Sequence, residues 1–121
     1  MSEVLVLISR LAGGITMPEG AMMVPFHTAF DAAISLRATP APAVLVTDHL
    51  DDEDLDSLAA AIKERTGQVI EVRLSAWDGE THSPVSAVCR GVISGFGADG
   101  IVRAVDLLRR QAGGNPGTAR Q

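Results

Sequence analysis

Glu3 to Ser9 is a nearly unbroken apolar run, Glu-Val-Leu-Val-Leu-Ile-Ser, too short for a helix and suited to a central strand covered on both faces. Leu11 to Pro18 contains Gly13, Gly14 and Pro18, which predict a loop leading into a helix. Met22, Met23, Phe26, Phe30, Ala33, Ile34 and Arg37 recur at three-and-four spacing. Pro25 delays or kinks that helix, so its firm part is predicted at about Phe26 to Arg37. After the stiff connector Thr39-Pro-Ala-Pro42, Ala43 to Thr47 is a second buried strand. Asp51 or Asp52 can cap a helix with an apolar stripe of Leu55, Leu58, Ala59 and Ile62 that ends at Gly67. Gln68 to Ser75 alternates, with Val69, Glu71 and Arg73 on one side and Ile70, Val72 and Leu74 on the other, predicting a strand with one wet face or at an edge. A polar loop, Ala76 to Ser83, leads to Pro84 and a fourth strand, Val85 to Ile93. A glycine turn, Gly95 to Gly100, opens a last helix at Ile101 to Arg110, with Ile101, Val102, Val105 and Leu108 inward. The predicted order is β-α-β-α-β-β-α, a small layered α/β domain over residues 1–112, with residues 113–121 a flexible tail.

Composition narrows this picture. At 121 residues and 46% hydrophobic the chain fits one domain able to bury its own core. The formal charge of −5 argues against nucleic acid, and no apolar stretch is long enough for a membrane span. Cys89 is the single cysteine, which excludes an internal disulfide or thiolate zinc cluster and suits a reducing cytoplasm. Without a cationic stretch before the first apolar run, nothing reads as a signal peptide.

Ser94-Gly-Phe-Gly-Ala-Asp-Gly100 follows a strand and opens a helix, so its backbone amides can hold an anion or a developing oxyanion. Gly95, Gly97 and Gly100 also fit the dinucleotide fingerprint, but the following strand and later acidic residue of that motif have no counterpart here. Glycines serving only a tight strand-to-helix junction are a further reading.

The longer stretch Pro84-Val-Ser-Ala-Val-Cys-Arg-Gly-Val-Ile-Ser-Gly-Phe-Gly-Ala-Asp99 resembles, without a gap, the corresponding segment of the crotonase (enoyl-CoA hydratase/isomerase) superfamily. The resemblance implies a ββα spiral core and an oxyanion site formed by the backbone at Gly95, Phe96 and Gly97, with Asp99 as general acid or base. It implies an acyl-CoA or acyl-carrier thioester as ligand, with no cofactor. The chain has no counterpart of the family's other oxyanion segment near Val46-Thr-Asp-His-Leu50, nor of its second catalytic carboxylate and C-terminal helices. The expectation is therefore a shortened crotonase-like accessory or partner subunit in a homo- or hetero-oligomer. A stand-alone enzyme stabilising a thioester enolate and a non-catalytic structural or regulatory α/β module are the alternatives.

Other candidates carry simpler readings. His27, His49 and His82 lie on three elements without metal-ligand spacing, so no metal is expected. His49 beside Asp48, Asp51 and Asp52 has the residues of a carboxylate-oriented base, although loop polarity explains it too. Asp51-Asp-Glu-Asp54 reads as a dipole-stabilised helix start rather than a calcium loop. Cys89 reads as a small buried hydrophobe, and Trp77 as a core plug or an interface anchor. Met17, Met22 and Met23 with Val24 suggest an adaptable partner-facing surface.

Overall fold

In the computed structural model the described residues are 4–9, 15–48, 50–65, 67–74, 85 and 88–112. Their elements are β1 (Val4–Ser9), β2 (Ala21–Phe26), α1 (Ala29–Ala38), β3 (Ala43–Val46), α2 (Asp52–Glu64), β4 (Val69–Arg73), β5 (Gly91–Ser94) and α3 (Ala98–Ala112). The strands form one five-stranded sheet in the order β2-β1-β3-β4-β5, and every pairing is parallel. This is the doubly wound order of flavodoxin-like domains, whose chain reverses its direction of travel across the sheet between β1 and β3.

Strand periodicity sorts the core into two layers. Leu5, Leu7, Ala43, Leu45 and Val69 pack under α1 and α2, and Val4, Val6, Ile8, Val44, Val46, Ile70 and Val72 pack under α3. The unbroken apolar runs of β1 and β3 reflect this cover on both faces. In α2 the expected stripe Leu55, Leu58, Ala59 and Ile62 is buried. Asp51 accepts the Asp54 N–H at 2.9 Å while Asp54 accepts the Asp51 N–H at 3.3 Å, closing a capping box.

Several expectations are corrected. Ala21–Phe26 is a strand paired along its length with β1, not the approach to a helix. Pro25 is tolerated because β2 is an outer strand of the sheet. The helix begins at Ala29, behind a Thr28 hydroxyl that accepts the Asp31 N–H at 3.2 Å. Its buried stripe is Ala29, Ala32, Ala33 and Leu36, whereas Phe30 is 72% exposed and Ile34 51%. Small alanines let α1 sit close against its neighbours, and that choice rotates the larger residues outward. β4 is an interior strand rather than a half-wet edge, and Glu71 in its centre is fully buried. The expected strand Val85–Ile93 is reduced to Gly91–Ser94, since Val85 and Val88 are helical and the Cys89 N–H donates to the Val85 carbonyl at 3.0 Å.

Among the described residues a single parallel sheet with helices α1, α2 and α3 replaces the expected ββα spiral. The Pro84–Asp99 pattern marks a strand, a glycine turn and a helix, and a doubly wound sheet uses that junction as readily as a spiral does. The proposed tail, 113–121, lies outside the described residues.

Arg65, just past α2, ties that helix to the end of α1 and to the connector before β3. Its Nε donates to the Leu36 carbonyl at 2.9 Å and its Nη2 to the carbonyls of Thr39 and Ala41 at 2.5 and 2.6 Å. Carbonyls left without helical partners at the end of α1 thereby gain a charged donor.

Candidate functional site

Parallel α/β sheets collect ligands at the carboxyl ends of their strands, next to the point where the strand order reverses. Here that point lies between Ser9, at the end of β1, and Thr47, just past β3. Leu7 pairs with Leu45 and Leu45 with Glu71, so the next residues on the same face are Ser9, Thr47 and Arg73. Arg73 pairs in turn with Ser94. The α1/α2 face of the sheet therefore ends in a polar row, Ser9, Thr47, Arg73 and Ser94, above an apolar layer interrupted by Glu71.

Glu71 organises this row. Its Oε2 accepts the Thr47 hydroxyl at 2.6 Å and the Arg73 Nε at 3.1 Å. The Glu71 side chain is wholly enclosed, while that of Arg73 is 22% exposed. A buried carboxylate thus anchors a cation whose outer part reaches solvent, and the guanidinium keeps N–H groups suited to a carboxylate or phosphate ligand. Alongside, the Asp48 carboxylate accepts the Leu74 N–H at 2.6 Å and the Thr47 N–H donates to the Val72 carbonyl at 3.1 Å. These bonds fix the chain where it leaves β3 and β4.

Cys89 lies on the other side of Glu71, toward the amino end of β4. Burial, then the negative charge of Glu71, push its thiol up from 9.0 to about 12, against a smaller opposing effect of a backbone hydrogen bond at Glu71. Neutral and partly covered, it behaves as the expected small hydrophobe, packed against the α1/α2 core. Because the folded state holds this proton more tightly than the unfolded chain, folding stability should fall as pH rises from about 9 to about 12. The slope from this group approaches about 1.4 kcal/mol per pH unit. Urea denaturation of Cys89→Ala across that range should show a flatter alkaline limb than the parent, and identical limbs would refute the assignment.

The residues singled out in sequence are distributed differently. Gly95 and Gly97 have positive φ of 84° and 57°, which explains glycine there, and their N–H groups donate to the carbonyls of Arg73 and Leu74 at 3.2 and 3.0 Å. Phe96 is half exposed with the Arg103 guanidinium 4.3 Å from its ring centroid. Asp99 is exposed in the first turn of α3, where its N–H donates to the Phe96 carbonyl at 3.1 Å. This turn adjoins the ends of β4 and β5 and follows directly on Ser94. His27 is exposed after β2, and His49, Trp77 and His82 lie outside the described residues. Among the described residues no group of His, Cys, Asp and Glu could hold a metal ion. No described helix is long and apolar enough to cross a membrane.

No family model matches the chain, and no curated protein matches it in sequence. Solved structures do. A type II dehydroquinase from Propionibacterium acnes superposes with a TM-score of 0.74 over 89% of this chain and 98% of its own, at 19% identity. The fold is that of the type II dehydroquinases. A 3-dehydroquinate dehydratase-like protein from Bifidobacterium longum gives 0.64 over 94% and 100% of the two chains at 14% identity. A type II dehydroquinase from Butyrivibrio crossotus gives 0.63 over 89% and 97% at 16% identity. The dehydroquinase fold overturns the crotonase resemblance and, with it, the expected acyl-CoA accessory subunit and the enoyl-CoA hydratase/isomerase alternative.

The site centred on Glu71 and Arg73 was missed because the alternating polarity of β4 suggested water on one side. A carboxylate flanked by Val69-Ile70 and Val72 in a β-α-β rhythm was the available signal, since parallel strands are covered on both faces.

Proposed function

We propose that this chain binds a small hydroxylated carboxylate of the 3-dehydroquinate class at the polar row ending β1, β3 and β4, and catalyses its dehydration. One observation carries the reading: Arg73, held on the buried Glu71, presents an anchored cation beside the hydroxyl-bearing Ser9 and Thr47 at the strand-order reversal. The likeness to solved structures named as dehydroquinases supports both the ligand class and the reaction. Arg73 would hold the carboxylate, and the row's hydroxyl groups would meet hydroxyl groups of the ligand.

A second reading, ligand binding without turnover, is favoured by the Glu71 carboxylate and the Cys89 thiol. Glu71 is enclosed, and the Cys89 thiol stays protonated far above neutral pH. The full chain titrated with 3-dehydroquinate should bind it saturably, and mass spectrometry should detect loss of one water on incubation. Arg73→Lys, which keeps the charge but loses the fork of donors, should weaken binding at least about tenfold. Binding without dehydration selects the second reading, and absence of saturable binding overturns both.

A further inference from the structure

An open cavity of about 490 Å³ lies at the other end of β4, where the end of α2, the turn at Gly67 and Gln68, and the residues leading into β5 meet. Ile62, Val69 and Val88 form its apolar part, and Lys63, Arg65 and Arg90 its charged part. The chain carries 15 acidic against 10 basic side chains, yet this lining holds three of the bases and none of the acids. Its volume falls in the range of small-molecule sites.

Attraction to the negative end of α2 accounts for Lys63 and Arg65 but not for Arg90, which arrives from a different element with its N–H donated to the Val69 carbonyl at 2.8 Å. Arg65 adds a separate signal. Its Nε and Nη2 are bonded to main-chain carbonyls, whereas its Nη1 is buried without a hydrogen-bond partner among the described residues. The described ion pairs are Arg37–Glu64, Arg73–Glu71 and Arg110–Asp106, so none of the cavity's cations has a described carboxylate partner. Consistent with this, burial lowers the Arg65 pKa. A partly buried guanidinium without a counter-ion is costly, and an anion in the cavity would offset that cost.

We infer that the cavity between the end of α2 and the start of β5 is a second ligand site, which takes the oxyanion group of a small molecule between Lys63, Arg65 and Arg90. The site is distinct from the polar row, because it lies at the amino end of β4 while Arg73 lies at the carboxyl end. Its apolar floor leaves room for a short hydrocarbon part beside the anion. The shared chemistry is an oxyanion, and phosphate and carboxylate are its two sources.

The test uses the full chain and two-dimensional amide NMR at constant ionic strength, with inorganic phosphate in one titration and acetate in another. Saturable shifts at Gly67, Gln68, Val69 and Arg90 are expected with at least one anion, and the tighter one identifies the source. Arg65 is a structural tie, so the decisive variant is Lys63→Gln with Arg90→Gln, both of them exposed residues. It should weaken binding at least about tenfold without lowering the melting temperature, whereas Arg103→Gln on α3 should leave binding unchanged. Shifts that do not saturate by about 10 mM of either anion, or that are equal in parent and double variant, overturn the site.

Discussion

Gly67→Ala should cost about 3 kcal/mol of folding stability, a large share of the margin of a domain this size. A Cβ built on Gly67 would lie 2.0 Å from the Pro40 carbonyl oxygen, 2.7 Å from its carbon and 3.0 Å from the Ala41 oxygen. Every one of these atoms is backbone, so no side chain can swing aside. Relief requires moving the connector 39–42, and that connector supplies the Thr39 and Ala41 carbonyls that bind Arg65. The alanine thus forces either a clash or the loss of charge-assisted hydrogen bonds. Gly91→Ala is the control, since nothing lies within 4 Å of its Cβ and its change should stay within about 0.5 kcal/mol. Urea midpoints at unchanged slope would compare the two. Equal midpoints would mean that the turn and the connector do not meet.

Glu71→Ala should be the most damaging change at the polar row, at about 3 to 5 kcal/mol. It removes the acceptor of the buried Thr47 hydroxyl and the partner of a mostly covered guanidinium at the same time. Glu71→Gln keeps an oxygen for both donors and loses only the charge, so it should cost clearly less. Removing Arg73 in the Glu71→Ala background should then add little, because the two side chains act as one unit. Additive losses in that double-mutant cycle would show that Glu71 and Arg73 stabilise the chain independently. Glu71→Ala should also weaken binding of the proposed carboxylate ligand, since Arg73 loses its anchor, and Glu71→Gln should do so less.

Local signals read well wherever one segment carried its own evidence. The unbroken apolar runs of β1 and β3 marked buried strands, and α2 showed both its stripe and its acidic cap. The position of α3 was legible from the glycine turn, although the helix starts at Ala98, three residues before the expected Ile101. β2 was hidden because Met22, Met23 and Phe26 fit a helical spacing as well as a strand, and only its pairing with β1 distinguishes them. Phe30 and Ile34 looked like core because they are large and apolar, but the alanine face of α1 packs instead.

The sequence by itself determined the class of the domain, since alternation of short apolar runs with capped amphipathic helices leaves an α/β layer as the way to bury both. It also determined the local junctions, such as the glycines at positive φ between β5 and α3. Only the tertiary structure decided between a spiral and a single parallel sheet, because strand order depends on pairings between residues far apart in the chain. The same holds for the polar row. Ser9, Thr47, Arg73 and Ser94 come from four separate segments, and the register that places them side by side is set by packing across the whole sheet.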